Sequence, residues 1–335
     1  MITIEASHIY FRGGFVLLEQ IVEYCEQEEL EVQVYLGYVE VFDYLSQKKY
    51  KYIRLVQTNG IYTLLRYMKK RIQVLFFCNL PPFVKSKKSV LYAHNILFFE
   101  SPEPIKGVSR LFNLKKLVYF YWIKLFARNV DAVACQTEAV KQSLLENMQV
   151  EAELYPFYKV QEPLKMERKY AFCYVGSGAS HKNNLRLLEA VEELSEKYVF
   201  TLQMTIEKSD INKELIGRIE SINQKYGREV IVNWGFVPNH QVADIYASSV
   251  AMIFPSQAET IALPLIEGLQ HGLKILSSDL AFTHQVVENP IVFNPVSVEE
   301  IKTTMESQLL GKYDKIVQNN KIPNKLPELI QCLRP

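Results

Sequence analysis

The sequence predicts an α/β protein of two Rossmann-like domains, each a doubly wound parallel sheet, and three observations carry that expectation. Short apolar runs alternate with amphipathic stretches from one end of the chain to the other, the pattern of parallel strands joined by crossover helices. At 335 residues, 48% of them hydrophobic, the chain exceeds what one core organises comfortably. The alternation is interrupted once, by a polar and charged stretch over 159–169, and then restarts.

In the first half, strands are expected near 2–6, 31–36, 50–56, 72–77, 89–93, 131–135 and 151–155. The clearest helices are 15–28, after the Gly13-Gly14 turn, then 106–128 and 137–147. The second half restarts with a strand at 170–176 and continues with strands near 198–205, 229–234, 250–254, 273–277 and 291–293. The expected division is an N-terminal domain over 1–158, a linker over 159–169, a C-terminal domain over 170–311, and a tail over 312–335 with room to return to the N-terminal domain.

Net charge is +1, but residues 1–150 hold 19 Lys+Arg against 14 Asp+Glu, whereas 151–335 hold 19 against 23. The basic half suits an anionic neighbour. Its segment 106–128 carries six cations and no acid among many aromatic and aliphatic residues. That composition fits either a core helix with a solvated basic face or a surface lying in a membrane interface or against a lipid-linked anion. A nearly neutral chain without a recognisable nucleic-acid module argues against a nucleic-acid partner. The five cysteines form no CxxC pair and no His/Cys cluster at ligand spacing, so neither a disulfide framework nor a zinc site is expected. With no signal-peptide pattern and no run of ~20 apolar residues, the expected location is the cytoplasm, with peripheral contact at the inner face of the membrane as an extension.

Ligands of open α/β sheets sit beyond the carboxyl ends of the strands. After the strand ending at Phe254 comes Pro255-Ser256-Gln257-Ala258-Glu259-Thr260-Ile261-Ala262-Leu263-Pro264-Leu265-Ile266-Glu267. Pro264 suits the first position of a helix, where its missing N–H costs nothing. The backbone amides near 262–265 and the positive end of the helix dipole there suit a diphosphate. Glu259 and Glu267 flank that anion site, and a carboxylate can accept from two neighbouring hydroxyls of a ribose or a sugar ring. The strand at 170–176 is followed by Gly176-Ser177-Gly178-Ala179-Ser180-His181-Lys182-Asn183-Asn184, in which Asn183 or Asn184 can cap the next helix. His181 and Lys182 lie on the unfavourable side of that helix's dipole, which a bound phosphate would explain.

The segment PSQAETIALPLIEGLQHGLKILSSDL resembles the donor-binding segment of retaining, GT-B fold glycosyltransferases of glycosyltransferase family 4, also described as group 1 glycosyltransferases. The resemblance spans nearly all of 130–300 and is vague before residue 90. It implies two Rossmann-like domains facing a cleft and transfer of a sugar from a UDP- or GDP-sugar, with retention and without a metal or other cofactor. The acceptor class it implies is a glycan or lipid-linked acceptor of bacterial surface polysaccharide synthesis. By the same resemblance Glu259 contacts the transferred sugar, Ala262 and Leu263 offer amides to the diphosphate, and Glu267 binds the ribose. Thr260-Ile261-Ala262 stands where the family has Gly-Phe-Gly, and Lys182 stands at the position of the family's phosphate-neutralising lysine. Ser177 replaces the arginine expected five residues earlier, a loss that His181 or Arg186 could offset. Phe236 and Val237 fall in the loop that meets the nucleobase, and His284 falls in a closing turn where a structural role is as good a reading.

In the N-terminal half, Gly13 and Gly14 permit close backbone approach to donor or acceptor, although a plain turn explains them equally. His94, at a strand end, either touches the transferred sugar, as a histidine does in several relatives, or is a buried structural histidine. Two alternatives stand beside sugar transfer: a GT-B-like sugar-nucleotide epimerase or hydrolase, and a non-catalytic scaffold that retains the fold.

Overall fold

The computed structural model describes residues 1–10, 13–99, 101–104 and 110–334. Two units divide it, one formed by Met1–Lys159 and the segment from Pro323 onward, the other by Val160–Ile322.

The first unit is built from β1 (Ile2–Ala6), α1 (Gly13–Gln27), β2 (Val32–Leu36), α2 (Val39–Ser46), β3 (Ile53–Gln57), α3 (Gly60–Tyr67), β4 (Ile72–Phe76), β5 (Lys87–Ala93), α4 (Arg110–Phe126), β6 (Ala132–Cys135), α5 (Glu138–Met148) and β7 (Glu153–Leu154). Its seven strands are parallel in the order β3-β2-β1-β4-β5-β6-β7. Central β1 is buried along its whole length, as a strand covered by helices on both faces must be. Side-chain caps start two of the helices: the Tyr62 amide donates to Asn59 ahead of α3 and the Val140 amide to Thr137 ahead of α5. One apolar cluster joins α3, α4 and α5 to the sheet through Tyr67, Phe76, Phe120, Ile123 and Leu144. The helix expected over 106–128 begins at Arg110, and its first residues, 106–109, lie outside the described residues.

The second unit comprises β8 (Tyr170–Tyr174), α6 (Asn184–Leu194), β9 (Leu202–Met204), α7 (Lys213–Tyr226), β10 (Ile231–Asn233), α8 (Asn239–Ala247), β11 (Ser249–Phe254), α9 (Leu263–Gln270), β12 (Lys274–Ser278), α10 (Ala281–Val286), β13 (Ile291–Phe293) and α11 (Val298–Leu309). Its six parallel strands run β10-β9-β8-β11-β12-β13. The chain moves outward from β8 to β10 and then returns to the other side of β8, so the strand order reverses between β8 and β11. Residues 312–322 stay with this unit, because Gln318 bonds both the amide and the carbonyl of Ile275 and Asn320 bridges to Val287. The return to the first unit starts at Pro323. There the Lys325 amide donates to Pro156 O, and α12 (Leu326–Gln331) buries Leu326, Leu329 and Ile330.

At the carboxyl end of β5, His94 stacks on Phe77 with ring centroids 4.9 Å apart, receives the Asn79 amide group at Nε2 and leaves Nδ1 buried without a partner among the described residues. Burial pulls its pKa from 6.5 down to about 4, so the ring is neutral in the folded state. A histidine with a depressed folded pKa stabilises fully above its unfolded pKa and loses that contribution as pH falls through 6.5 toward 4. Acidification across that window should therefore cost the fold on the order of 3 kcal/mol from this group. Urea unfolding at pH 7 and pH 4.5 should show His94→Phe losing less stability on acidification than the parent chain; equal losses would place the acid sensitivity elsewhere.

Candidate functional site

The loops after β8 and β11 leave adjacent strands on opposite sides of the reversal in strand order, where an open sheet leaves a crevice for a ligand. Lys182 comes from the first loop and Glu259 from the second. Their Nζ and Oε1 atoms meet at 2.5 Å with both side chains 14% exposed, and the ammonium group also lies 5.3 Å from the centre of the Phe254 ring. The two loops are tied by backbone as well: the Gln257 amide donates to His181 O at 2.7 Å, and Ser256 Oγ, fully buried, reaches the same carbonyl.

α9 starts one residue earlier than the proline suggested, with Ala262 at the N-cap, Leu263 first and Pro264 second. Of the amides at 262–265, Pro264 has none and Leu265 donates to Ala262 O, which leaves those of Ala262 and Leu263 as donors toward the loop side. Ala262 reaches this position in the left-handed region, at φ 49 and ψ 55, although it carries a Cβ. Thr260 is half-buried and Ile261 buried, so the turn between Glu259 and the helix packs inward.

Glu267, one turn into α9, accepts from the hydroxyl of the fully buried Tyr246 at 2.8 Å. Burial, together with that carboxylate, raises the phenol's pKa well above its ordinary value, so Tyr246 remains the donor. Behind the loop, Ser277 and Thr283 hydroxyls meet at 2.8 Å, Thr283 donates to Ser278 O, and Ser277 reaches Phe254 O. Tyr246 and these buried hydroxyls had no place in the sequence reading, although the Ser277-Ser278 pair at the end of an apolar strand was a visible sign of a polar anchor.

The glycine loop after β8 is held by its own polar contacts. The Gly176 amide donates to Thr205 Oγ1 at 3.0 Å, and Asn184 Nδ2 donates to Ser177 O at 3.0 Å. A Cβ on Gly178 would fall 1.9 Å from Asn212 Oδ1, so a side chain there would collide with the neighbouring loop. Neither Asn183 nor Asn184 caps α6 with its side chain: Asn183 turns left-handed, donates to Pro295 O and accepts from Arg186. The suggested replacements for the missing arginine are not cations free for a ligand. Desolvation, then the nearby Lys182, lowers the His181 pKa so the ring favours its neutral form, and Arg186 is engaged with Asn183.

Phe236 is 74% exposed and Val237 half-buried in the loop after β10, where Asn233 Oδ1 accepts from the Ile206 and Gly235 amides. His284 forms an exposed pair with Asp279 at 2.6 Å. In the first unit Gly13 has open space at its missing Cβ, whereas a Cβ on Gly14 would stand 3.2 Å from His94 Nε2. The fold thus brings Gly14 and His94 together. Among the described residues no group of three or more His, Cys, Asp or Glu side chains is arranged to hold a metal ion.

The left-handed Ala262 has a measurable consequence. A β-branched side chain is strained at positive φ, so Ala262→Val should cost ~2 kcal/mol in urea unfolding. For Ala262→Gly the relief of strain and the lost buried methyl, each about 1 kcal/mol, should nearly cancel. A valine variant as stable as the parent would show that the turn relaxes out of this conformation.

Residues 158–322 match the family model described as Glycosyl transferases group 1. The serotype-specific mannosyltransferase WbdA of Escherichia coli is 27% identical over 120 residues, which cover 35% of this chain and 14% of WbdA. The O-antigen chain mannosyltransferase RfbU of Salmonella typhimurium is 20% identical over 195 residues, covering 54% of this chain and 52% of RfbU. The chain therefore spans about half or less of the length of these curated relatives. Among solved structures, Anabaena Alr3699/HepE in complex with UDP and glucose aligns with a TM-score of 0.68 at 12% identity, over 98% of this chain and 94% of that one. WaaG, a glycosyltransferase involved in lipopolysaccharide biosynthesis, aligns with a TM-score of 0.66 at 14% identity, over 99% of each chain. The chain thus has the fold of GT-B glycosyltransferases, and its second unit is similar to glycosyl transferases group 1.

Proposed function

We propose that this chain is a retaining glycosyltransferase that takes a sugar from a UDP- or GDP-sugar and places it on a glycan or lipid-linked acceptor of a bacterial surface polysaccharide. The observation that carries the reading is the Lys182–Glu259 pair in front of the α9 start, at the reversal of strand order. WbdA and RfbU are described as mannosyltransferases, which makes mannose the first sugar to test. HepE binds UDP and glucose, which keeps UDP-hexoses in the set.

In this reading the bond from the anomeric carbon to the diphosphate oxygen breaks and its electron pair stays on the diphosphate. Lys182 and the amides of Ala262 and Leu263 stabilise that charge, which they can do without reorganisation because the loops already hold them. Glu259 positions the sugar and faces the positive charge that develops at its anomeric carbon. Glu267, fixed by Tyr246, accepts from the ribose hydroxyls, and Phe236 and Val237 meet the base. His94 is neutral and stacked, so its part is to touch the sugar or hold Gly14 in place rather than to supply a charge. The reaction asks for no metal. The chain works in the cytoplasm, and α4, whose outer face exposes Leu114, Val118 and Leu125 among cations, lies against the inner face of the membrane or a lipid-linked acceptor.

A non-catalytic scaffold is the second reading, favoured by Ser177 in place of an arginine and by the depressed His181 pKa. Calorimetry with UDP, GDP and GDP-mannose separates the two, because a scaffold that has lost its donor site binds none of them. Lys182→Ala should reduce turnover per folded molecule by about 10²- to 10³-fold, or about 3–4 kcal/mol of barrier, and because it leaves Glu259 unpaired at 14% exposure it should also cost the fold on the order of 3 kcal/mol. Undiminished turnover in that variant would remove Lys182 from the mechanism. Sugar release or epimerisation as fast with donor alone as with acceptor would make the chain a hydrolase or epimerase.

A further inference from the structure

α3 is amphipathic the wrong way round for a helix that only covers a core. Its inward positions are Thr63, Arg66 and Tyr67: the Arg66 guanidinium donates to both oxygens of the buried Glu5 at 2.8 Å, reaches Thr58 and Thr63, and lies 4.0 Å over the Tyr35 ring. Its outward positions are Ile61, Tyr62, Leu64 and Leu65, followed by Met68, all exposed and Ile61 by 73%. These five large apolar side chains along two turns form an exposed apolar stripe among the described residues, which a surface helix of a water-facing domain ordinarily keeps polar.

The segment that carries this stripe is basic along the sequence, although Lys48 is paired with Glu19 and Glu23 and Arg66 with Glu5. Between Asp43 and Glu100 the chain contains eleven Lys or Arg and no Asp or Glu. Lys69 and Lys70 follow directly on Met68 and are exposed, as are Ile72, Val84, Lys85 and Lys87. These residues form one continuous region: the Lys87 amide donates to Arg71 O, and the Phe83 amide donates to Tyr67 O. Trp122 of α4 continues the contact by packing 4.5 Å from Phe83 and 6.3 Å from Tyr67. α4 itself has no acid between Arg110 and Phe126.

We propose that the outer face of α3, together with the lysines at the starts of β4 and β5, is a docking surface for an anionic lipid bilayer. The combination selects that occupant. Apolar side chains enter the acyl boundary while neighbouring lysines reach phosphate headgroups with their ammonium groups. Clustered lysines without intervening acids give the long-range attraction to an anionic leaflet. A nucleic acid would use the lysines and leave the leucines exposed. The surface extends the membrane contact given to α4 above onto residues the sequence reading did not assign, and it does not depend on the sugar-transfer chemistry.

The test is co-sedimentation of the full chain with vesicles of phosphatidylcholine alone and of phosphatidylcholine with phosphatidylglycerol at 3:1. The expected result is binding to the anionic vesicles only, weakened by added salt. Two double variants, Leu64→Ser with Leu65→Ser and Lys69→Glu with Lys70→Glu, should each bind at least tenfold more weakly with unchanged circular dichroism. Leu114→Ser with Leu125→Ser on α4 serves as the comparison. Absence of the parent chain from the anionic pellet overturns the proposal, as does equal binding to neutral vesicles. Wild-type binding by both α3-side variants also overturns it, and if the α4 variant alone then loses binding, the contact belongs to α4. Sugar transfer measured on a water-soluble acceptor stays level in the α3-side variants, so failure here is distinguishable from failure of the transferase reading.

Discussion

The reversal of strand order between β8 and β11 is the constraint on which the candidate site depends. Crossover connections that run outward from β8 and then return leave the two loops at its carboxyl edge diverging to opposite faces, with a gap between them. Lys182 and Glu259 enter that gap from either side and neutralise each other at 2.5 Å. Neither charge would be tolerable so far out of water alone, since an unpaired, largely buried ion keeps its desolvation cost without compensation. The pair is therefore a stable resting arrangement that also stores an ammonium group in place, available to an incoming anion that offers a better partner than a single carboxylate.

The loop that carries Glu259 is rigid for reasons that lie beneath it. Ser256, Ser277 and Ser278 at the ends of β11 and β12 and Thr283 in α10 are fully buried hydroxyl residues, bonded to backbone carbonyls and, for Ser277 and Thr283, to each other. Buried hydroxyls without partners would be costly, so their mutual satisfaction holds the geometry in a narrow range. On that support the chain sustains a left-handed alanine at 262, a conformation for which a residue with a Cβ has about 1–2 kcal/mol less preference. Strain of this kind persists only where the surroundings over-determine it, and here it turns the amides of Ala262 and Leu263 out of the helix start.

Much of this was legible in the chain because the informative signals were local. The period of apolar runs marked the two sheets, and the spacing of Pro255-Ser256, Glu259, Leu263-Pro264 and Glu267 marked one loop and one helix start. What was not legible lies in contacts between segments far apart. Lys182 and Glu259 are 77 residues apart, and nothing in either segment states that they touch. Asn183 reads as a helix cap by residue type, but its side chain finds Pro295 O, 112 residues away, and the cap is lost to that longer contact. His181 reads as a cation until its neighbours are known, and the adjacent Lys182 then helps to keep it neutral. The strand expected over 198–205 contracts to Leu202–Met204, because the Tyr198 amide donates to Leu194 O at the end of α6 and the Tyr198 and Phe200 carbonyls accept from Arg228 instead of pairing along the sheet.

α3 illustrates a further limit of pattern reading. Periodicity shows that one side of a helix differs from the other, but it assigns the apolar side to the interior by default. Glu5, buried in the middle of the sheet, reverses that default. A carboxylate at 1% exposure requires a cation with matching geometry, and Arg66 is the side chain that supplies it through two parallel hydrogen bonds. Once Arg66 is committed inward, the rotation of α3 is set, and Ile61, Leu64, Leu65 and Met68 are carried to the outside. One buried ion pair thus determines which face of the helix the solvent or a membrane meets, and the apolar character of that face follows from an electrostatic demand inside the sheet.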